Sequence, residues 1–532
     1  MTYYFIGIGG IGMSALARFF KQSGHSVCGY DRTPSPLTKR LEEEGISIHY
    51  DDDPTKVPEN VDLVIYTPAV PRDTKVFQHV IEKGFPIEKR SQMLGELTRG
   101  RKCIAVAGTH GKTTTSAMIA HLLNSSPIGC SAFLGGISKN IDSNLLVNNN
   151  SEYVVVEADE YDRSFLQLHP YYSVITATDP DHLDIYGTHE KLIEAFQQYA
   201  NQTNPDGALF LKEGLVEHHH DHEDHHDHED HHDHEDHYDS NDNNISTYQH
   251  INNNNISTYQ HINNNNISTY QHINNNISTY QHINNNNIST YQHINNNIST
   301  SHHLTISSEI KTFSYSARSI EPDYYAINVR NYNGNIFFDL RTPDKVLFDL
   351  ELCNSCLYNV ENAVAASAVA LRCGLDEYQL RSGLKSFAGI RRRFDVRVKT
   401  KDFVYIDDYA HHPKEIAATI ESVKYLYPGK RIVGIFQPHL YSRTRDLADE
   451  FAEALKPLDE IILMPIYPAR EKPIPGVSSG MILRKIDSMS KYLCTADQIP
   501  DLAEALCPDV LLTMGAGDID RLAPTLQQRF SD

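Results

Sequence analysis

The sequence lacks any run of 18 apolar residues, so no membrane-spanning helix is expected. It is poor in positive charge, with 47 Lys and Arg against 69 Asp and Glu in 532 residues and a formal net charge of −22. That deficit argues against a nucleic-acid-binding protein, because neutralising phosphates requires surplus Lys and Arg. The eight cysteines are scattered, and residues 1–5 carry no basic leader pattern. We therefore expect free thiols and a cytoplasmic location.

Residues 217–303 contain no Lys or Arg, although they hold 12 acidic residues and 18 of the 29 histidines. An acidic, His-rich tract is followed from Ile245 by repeats of ISTYQHINNNN, each ten or eleven residues long. Such polar repeats cannot bury a continuous core, so we predict a disordered low-complexity insert. A β-solenoid or a self-associating Asn-rich stack is the alternative. The His-rich tract is expected to bind Zn²⁺, Ni²⁺ or Cu²⁺ weakly.

Outside the insert, short apolar runs alternate with helix patterns, which predicts α/β domains with mostly parallel sheets. Helices are expected at 13–23, 113–123 and 359–371. The last series of strands is expected at 403–409, 431–437, 460–467 and 509–515. We predict three consecutive α/β domains: a Rossmann-like domain at 1–98, a P-loop ATPase-like domain with the insert at 99–388, and a Rossmann-like domain at 389–532.

Residues 108–114 read GTHGKTT and stand between an apolar strand and a helix. Glycines there let backbone N–H groups approach a polyphosphate, and the helix N-terminus attracts negative charge. Lys112 would reach the β- and γ-phosphates, and the Thr113 hydroxyl would bind Mg²⁺. The general P-loop pattern has a glycine where this chain has Val106. The predicted ATP-binding loop consists of Gly108, Thr109, His110, Gly111, Lys112, Thr113 and Thr114.

Carboxylates follow two further strands of the same domain, in the segments EADE (157–160) and DPDH (179–182). Ligands of parallel α/β sheets gather at the carboxyl ends of strands. Mg²⁺ prefers oxygen ligands, and side chains at this edge would lie beside the P-loop. Glu157 and His182 are therefore candidate metal ligands together with Thr113.

The first domain carries a GxGxxG pattern at residues 7–12, and Asp31 follows the second strand. This is the dinucleotide-binding fingerprint, including its acidic residue. Taken alone it would favour an NAD-dependent dehydrogenase. Physically it requires only a diphosphate on a helix N-terminus with a hydroxylated sugar nearby, and a UDP group meets that requirement equally well.

Six motifs together carry a resemblance to a known family: GIGGIGMS (7–14), AGTHGKTTT (107–115), EADEYD (157–162), DHLD (181–184), DDYAHHP (407–413) and FQPHLYSRTRDL (436–447). In this order they resemble the Mur ligase family. The resemblance runs from Met1 to about Lys212 and from about Ser308 to the C-terminus, so it covers nearly everything but the insert.

The resemblance implies ATP-dependent joining of L-alanine to the lactyl carboxylate of UDP-N-acetylmuramate, through an acyl phosphate, in peptidoglycan precursor synthesis. Lys112, Glu157, His182 and Arg393 would be catalytic. Asn359, Asn362 and Asp407 would extend the ATP site. The residues implied near the UDP-sugar, including those near its carboxylate and the amino acid, are Gly9, Gly10, Ile11, Gly12, Met13, Ser14, Asp31, His411, His439 and Arg443.

Several hypotheses remain open on the sequence. One family member joins a tripeptide to the same UDP-sugar, although the FQPHLYSRT segment favours the single amino acid. The dehydrogenase hypothesis leaves residues 108–114 unexplained. An inactive scaffold with a metal-binding insert is a third hypothesis. Many members of that family carry Gly and His where this chain has Cys356 and Tyr358, so we expect the adenine pocket of this chain to differ from theirs in detail.

Overall fold

A computed structural model describes most of the chain. The described residues are 1–180, 183–216, 246–251, 256–263, 266–273, 277–284, 287–294, 303–353, 355–469, 471–487 and 490–531. The chain forms two units, one made of Met1–Glu217 with His303–Asp532 and the other of His218–His302. Within the described ranges, no helix is both long and apolar enough to cross a membrane.

The first sheet is parallel, with strand order β3-β2-β1-β4-β5. Its central strand is almost entirely buried, and the following turn leads straight into α1. Helix α1, predicted at 13–23, is observed at Ile11–Gln22. The elements are β1 (Thr2–Ile6), α1 (Ile11–Gln22), β2 (Ser26–Tyr30), α2 (Pro36–Glu43), β3 (Ser47–His49), a 3₁₀ turn (Pro54–Lys56), β4 (Leu63–Tyr66), α3 (Lys75–Glu82), β5 (Ile87–Lys89) and α4 (Arg90–Thr98).

The second sheet has ten strands, in the order β20-β19-β18-β17-β11-β10-β6-β9-β7-β8. Its first part is built from β6 (Lys102–Ala107), α5 (Lys112–Asn124), β7 (Ser131–Ser138), β8 (Ser143–Leu146), β9 (Tyr153–Glu157), a 3₁₀ segment (Tyr161–Gln167), β10 (Pro170–Ile175), α6 (Leu183–Tyr186), α7 (His189–Asn201) and β11 (Ala208–Lys212). Strands β11, β10, β6, β9 and β7 run parallel, so their carboxyl ends share one edge.

The insert forms the second unit, and its described parts are five antiparallel strands: β12 (Ser246–Ile251), β13 (Ile256–Asn263), β14 (Asn266–Ile273), β15 (Ile277–Asn284) and β16 (Asn287–Ile294). Identical repeats pair with each other, so that Tyr259 stands opposite Tyr270. Residues 218–302 cluster as a unit of their own, which agrees with the prediction of an insert between two structured segments. Its described parts are paired strands, since Ile, Thr and Tyr favour pleated backbone. The His-rich tract lies outside the described residues, and its metal binding stays a prediction.

The second sheet continues after the insert with β17 (Thr312–Ser316), β18 (Tyr324–Tyr332), β19 (Asn335–Arg341) and β20 (Val346–Leu352), followed by α8 (Tyr358–Arg372) and α9 (Glu377–Ser386). Helix α8 packs against α5 in the core beside the predicted nucleotide loop. The predicted helices at 113–123 and 359–371 are thus confirmed, each slightly longer than expected.

The third sheet has strand order β21-β22-β26-β23-β24-β25 and is parallel except for the β21–β22 pair. Its elements are β21 (Asp395–Lys399), β22 (Val404–Asp408), α10 (Pro413–Leu426), β23 (Ile432–Phe436), α11 (Tyr441–Asp446), α12 (Ala448–Leu455), β24 (Glu460–Leu463), α13 (Gly480–Lys485), β25 (Lys491–Leu493), α14 (Ile499–Ala505), β26 (Val510–Met514), a 3₁₀ turn (Asp518–Leu522) and α15 (Ala523–Ser531).

The strand predicted at 460–467 is shorter than expected and ends at Leu463. Pro465, two residues further on, has no N–H to donate to a neighbouring strand. Tyr467 instead forms an isolated bridge with His439. The three predicted α/β domains are therefore present as three sheets, while the domain limits 98/99 and 388/389 stay predictions.

Candidate active site

The loop at residues 108–111 joins β6 to α5 at the carboxyl edge of the second sheet. Gly108 has φ +132° and Gly111 has φ +83°, a region that favours glycine. A Cβ at Gly108 would lie 2.2 Å from Thr176 Oγ1, and one at Gly111 would lie 2.8 Å from Asn362 Oδ1. The loop is therefore tight and glycine-dependent despite Val106, and Gly111 caps the N-terminus of α5.

Lys112 begins α5, and its ammonium group lies against the loop. Its Nζ donates to Gly108 O at 2.5 Å and to Glu160 Oε1 at 2.8 Å. Glu160 is fully buried. Burial alone would lower the pKa of Lys112, but Glu160 and Glu157 outweigh it and raise that pKa. The site thus holds a permanently charged lysine at the start of a helix.

Glu157 ends β9 beside Lys112 and Thr113. The Thr113 hydroxyl donates to Glu157 Oε1 at 3.1 Å, and the Gly135 N–H donates to Oε2 at the same distance. A Cβ at Gly135 would lie 2.2 Å from the carboxylate. Burial raises the pKa of Glu157, although the Lys112 charge opposes the rise.

The donor set around Glu157 fits a hard divalent cation. A hydroxyl and a carboxylate supply the oxygen ligands that Mg²⁺ prefers, and a cation would relieve the cost of this buried charge. His182, the third predicted ligand, lies outside the described residues. Within the part of the chain that the structure describes, no cluster of three or more His, Cys, Asp or Glu side chains is arranged to hold a metal ion.

The asparagine pair lies behind the nucleotide loop on α8. The Thr115 hydroxyl donates to Asn362 Oδ1 at 3.1 Å, and Asn362 Nδ2 donates to Asn359 Oδ1 at 2.9 Å. Asn359 Nδ2 in turn donates to Ser355 Oγ at 3.0 Å. Both asparagines are buried, so this chain of hydrogen bonds holds α8 against α5 directly beneath the loop.

The third sheet brings a second group of charges to the seam, the region where the second and third sheets face each other. Asp407 accepts from Thr513 Oγ1 at 2.7 Å and lies 3.6 Å from Arg392 Nε. Its neighbour Asp408 accepts from Phe394 N–H at 2.7 Å, and burial raises the pKa of Asp408 to about 6 despite the Arg393 charge. The Asp407 carboxylate is therefore engaged by its own domain.

Tyr358 and Arg393 connect this group with the second sheet. The Tyr358 hydroxyl donates to Asp408 Oδ2 at 3.1 Å across the seam. The Arg393 guanidinium lies 5.0 Å from the Tyr409 ring centroid, and its charge lowers the pKa of Glu157 against the effect of burial. Tyr358 thus contacts a residue of the third sheet, and Arg393 lies within electrostatic reach of the nucleotide loop.

His411, His439 and Arg443 meet at the start of α10 and α11. The rings of His411 and His439 are edge to face at 6.0 Å, and His439 stacks on Tyr467 at 5.8 Å. Burial lowers the pKa of His411, and Arg443 lowers it further while Glu415 opposes. Arg443 Nη1 is buried without a hydrogen-bond partner among the described residues. A buried N–H donor of this kind fits an anionic ligand such as a carboxylate.

The first glycine loop contacts the second domain as well as its own. Gly9 N–H donates to Asp31 Oδ2 at 2.8 Å. A Cβ at Gly12 would lie 2.4 Å from Arg90 Nη1, and Arg90 pairs with Asp159 at 3.1 Å. The remaining predicted residues lie at the same helix terminus, namely Gly10 as the N-cap of α1 and Ile11, Met13 and Ser14 in its first turn. The Ser14 hydroxyl accepts from Asn144 Nδ2 of the second domain at 3.1 Å.

Three family models match the chain along its length. They are "Mur ligase family, catalytic domain" at residues 2–102, "Mur ligase middle domain" at 106–214 and "Mur ligase, glutamate ligase domain" at 392–519. The chain belongs to the Mur ligase family. Curated UDP-N-acetylmuramate–L-alanine ligases from Parabacteroides distasonis and Phocaeicola vulgatus are each 42% identical to this Mur ligase over 531 residues. The matches cover 99% of this chain and 96% and 97% of theirs, respectively.

Solved structures of other Mur ligases share the fold. The UDP-N-acetylmuramate–alanine ligase of Thermotoga maritima matches with a TM-score of 0.72 and 24% identity, covering 100% of this chain and 99% of its own. A murein peptide ligase from Psychrobacter arcticus matches at 0.60 and 19%, with the same coverage. The MurF ligase of Thermotoga maritima, solved in complex with ADP, matches at 0.54 and 13%, covering 94% of each chain.

Four residues of this Mur ligase's site were not singled out from the sequence: Gly135, Glu160, Asp408 and Glu415. Glu160 and Asp408 had a local signal, since they lie in the same acidic motifs as Glu157 and Asp407. Gly135 had none, because only the pairing of β7 with β9 brings it to Glu157. Glu415 stands three residues after His412 at a helix start, which is the spacing of a capping box.

Proposed function

We propose that this Mur ligase uses ATP to join L-alanine to the lactyl carboxylate of UDP-N-acetylmuramate through an acyl phosphate. The proposal rests on the relatives of that name, which are 42% identical over nearly the whole chain. It also accounts for both glycine loops, whereas a dehydrogenase would use only the first. The proposal places the reaction in the cytoplasm, in peptidoglycan precursor synthesis.

The observation that carries the proposed chemistry is the cluster of Lys112, Thr113 and Glu157 at the carboxyl edge of the second sheet. Phosphoryl transfer depends mainly on positioning and on neutralising phosphate charge. Lys112 begins a helix and keeps its charge, so it is suited to hold the β- and γ-phosphates. We assign the rest of the ATP site to the loop residues 108–114, Asn359, Asn362 and Asp407.

The proposal includes Mg²⁺, held by Thr113 and Glu157, with His182 at a second position. When bound, the ion neutralises phosphate charge and orients the transferred group. The protein's own part is to position the Glu157 carboxylate through hydrogen bonds from the Gly135 N–H and the Thr113 hydroxyl. The Lys112 charge offsets part of the cost of burying that carboxylate.

The proposal also assigns a ligand-binding role to each of the three domains. Residues 1–98 would bind the UDP-sugar through residues 9–14 and Asp31. Residues 99–388 would bind ATP, and residues 389–532 would close over it and bind L-alanine. Arg443, with its buried donor, is suited to hold a carboxylate at this seam, where it lies beside His411 and His439. Arg393 would add positive charge on the third-domain side.

The test is an assay of ADP release with UDP-N-acetylmuramate and ATP present. We expect release to depend on L-alanine and to be weak when a tripeptide replaces it, which separates this proposal from the tripeptide-adding ligase. An absorbance change of a nicotinamide cofactor with no ADP formed would support the dehydrogenase instead. No ADP release with either amine would favour the inactive-scaffold hypothesis.

Deleting the insert should leave turnover within a few-fold of the full chain. The two ends of the insert already meet, because Leu304 N–H donates to Leu215 O at 2.8 Å and the Leu304 side chain is buried. Joining residue 217 to residue 303 through a short Gly-Ser linker therefore closes a small loop at little entropic cost. L-alanine-dependent ADP release and thermal unfolding, measured beside the full chain, check this. Loss of turnover with unchanged unfolding would give the insert a role in catalysis.

A further inference from the structure

Glu415 is the third residue of α10, and its carboxylate touches two loops that belong to different domains. Oε2 accepts from the N–H groups of His411 and His412 at 3.0 and 3.2 Å. The same oxygen lies 3.3 Å from His411 Nδ1. The other oxygen, Oε1, lies 3.4 Å from Nδ1 of His110 in the nucleotide loop. One carboxylate thus bridges the two loops with one oxygen each.

Local helix capping accounts for one of these four contacts. In a capping box, the side chain three residues inside the helix accepts from the N-cap N–H, which is the bond to His412. The contact between Oε1 and His110 is not part of the cap, because His110 lies in the preceding domain. Burial would raise the pKa of Glu415, but the contacts with His110 and His411 outweigh it and lower that pKa, so the carboxylate stays ionised.

The ion pair between Lys414 and Asp179, next to Glu415 in the chain, is an ordinary exposed contact and serves as a comparison. Lys414 Nζ lies 3.2 Å from Asp179 Oδ1, but the Lys414 side chain is 70% exposed. Exposed pairs of this kind contribute little. Glu415 is only 22% exposed and contacts a residue of each loop. Its position, its burial and its contacts with both loops therefore make Glu415, and not Lys414, the residue that can link the two loops.

We propose that Glu415 is a positioning residue that couples the nucleotide loop, through His110, to the amino-acid loop, through His411. The inference rests on the proposed function for the identity of the two ligands. With both loops fixed to one carboxylate, ordering of either loop by its ligand orders the other, so each ligand lowers the cost of binding the other. Glu415 itself touches neither the phosphates nor the reacting carboxylate in this scheme.

The test variant is Glu415→Gln, because glutamine also serves in a capping box and so keeps the local cap while removing the charge. The nucleotide probe is a non-hydrolysable ATP analogue with Mg²⁺, titrated by calorimetry in the presence of UDP-N-acetylmuramate, with and without L-alanine. In the unmodified chain we expect L-alanine to tighten nucleotide binding by about tenfold. In Glu415→Gln we expect that gain to disappear, with KM rising for both ATP and L-alanine and unfolding temperature unchanged.

Lys414→Ala is the matched control, and it should keep both the gain and the two KM values. His110→Asn combined with Glu415→Gln should be no worse than His110→Asn alone, since both act through one contact. The inference is overturned if Glu415→Gln keeps the full gain, or if L-alanine does not tighten nucleotide binding in the unmodified chain. An unmodified chain in which L-alanine tightens nucleotide binding but supports no ADP release would overturn the proposed function instead, and the titration would then still decide the role of Glu415.

Discussion

Lys112→Ala should reduce L-alanine-dependent ADP release by about a thousandfold or more, because a fixed positive charge on a transferring phosphoryl group has effects of that size. Its Nζ is the group at the helix start that lies between the loop backbone and the acidic pair Glu157 and Glu160. Binding of the UDP-sugar should persist, since residues 9–14 and Asp31 belong to the first sheet. Steady-state ADP release and calorimetric titration of UDP-N-acetylmuramate measure the two properties separately.

The Lys112→Ala substitution would also destabilise the folded protein, so a second variant is needed to separate loss of stability from loss of catalysis. Glu160 is fully buried and pairs with Lys112 at 2.8 Å. Removing one member of a buried ion pair destabilises a protein by about 3 to 5 kcal/mol. The double variant Lys112→Met with Glu160→Gln removes both charges, so it should recover much of the stability while remaining inactive. Recovery of turnover in the double variant would mean that the lysine acts on stability and not on phosphate.

Glu157→Gln should lower turnover by at least about a hundredfold, a loss typical of removing one electrostatic group from an active site. The glutamine oxygen can accept from the Gly135 N–H, and its NH2 group can donate to the Thr113 hydroxyl oxygen, so the local packing should be preserved. What disappears is the buried negative charge that would balance Mg²⁺. We expect the Mg²⁺ concentration needed for half-maximal ADP release to rise, and thermal unfolding without the ion to change little.

Glu152→Gln is a matched control for that variant. Glu152 immediately precedes the same strand, β9, but its side chain is 58% exposed and pairs with Lys102 at the surface. The same chemical change there should leave both turnover and the Mg²⁺ dependence unaltered. If Glu157→Gln also kept the normal Mg²⁺ dependence, Glu157 would be removed from the proposed metal site.

The strand–loop–helix unit around Lys112 could be predicted because its signals are local. An apolar run of about six residues, two glycines and a helix-forming segment lie within 24 consecutive positions, and the helix was found at Lys112–Asn124. The four strands at residues 312–352 were not predicted. Their hydrophobic alternation is broken by irregular register after Ile327 and after Phe338, and left-handed residues such as Asn328 and Asp349 shift the pleat.

The candidate site also has a part that could be predicted from the sequence and a part that could not. Thr113, Glu157 and Lys112 could be named together because the carboxyl ends of parallel strands share an edge. At Asp407 and Ser14 the structure adds protein partners that the motifs did not indicate, namely Thr513 and Asn144, respectively.

The order of residues alone was enough to predict the three α/β series, the two glycine loops, the family resemblance and a low-complexity insert. Each depends on residue type and spacing over a few turns or strands, which is the range over which backbone periodicity acts. Three contacts became visible only in the folded chain: Gly135 with Glu157, Glu160 with Lys112, and Glu415 with His110. Those contacts depend on strand order and on how one sheet meets the next, so no local pattern in the chain encodes them.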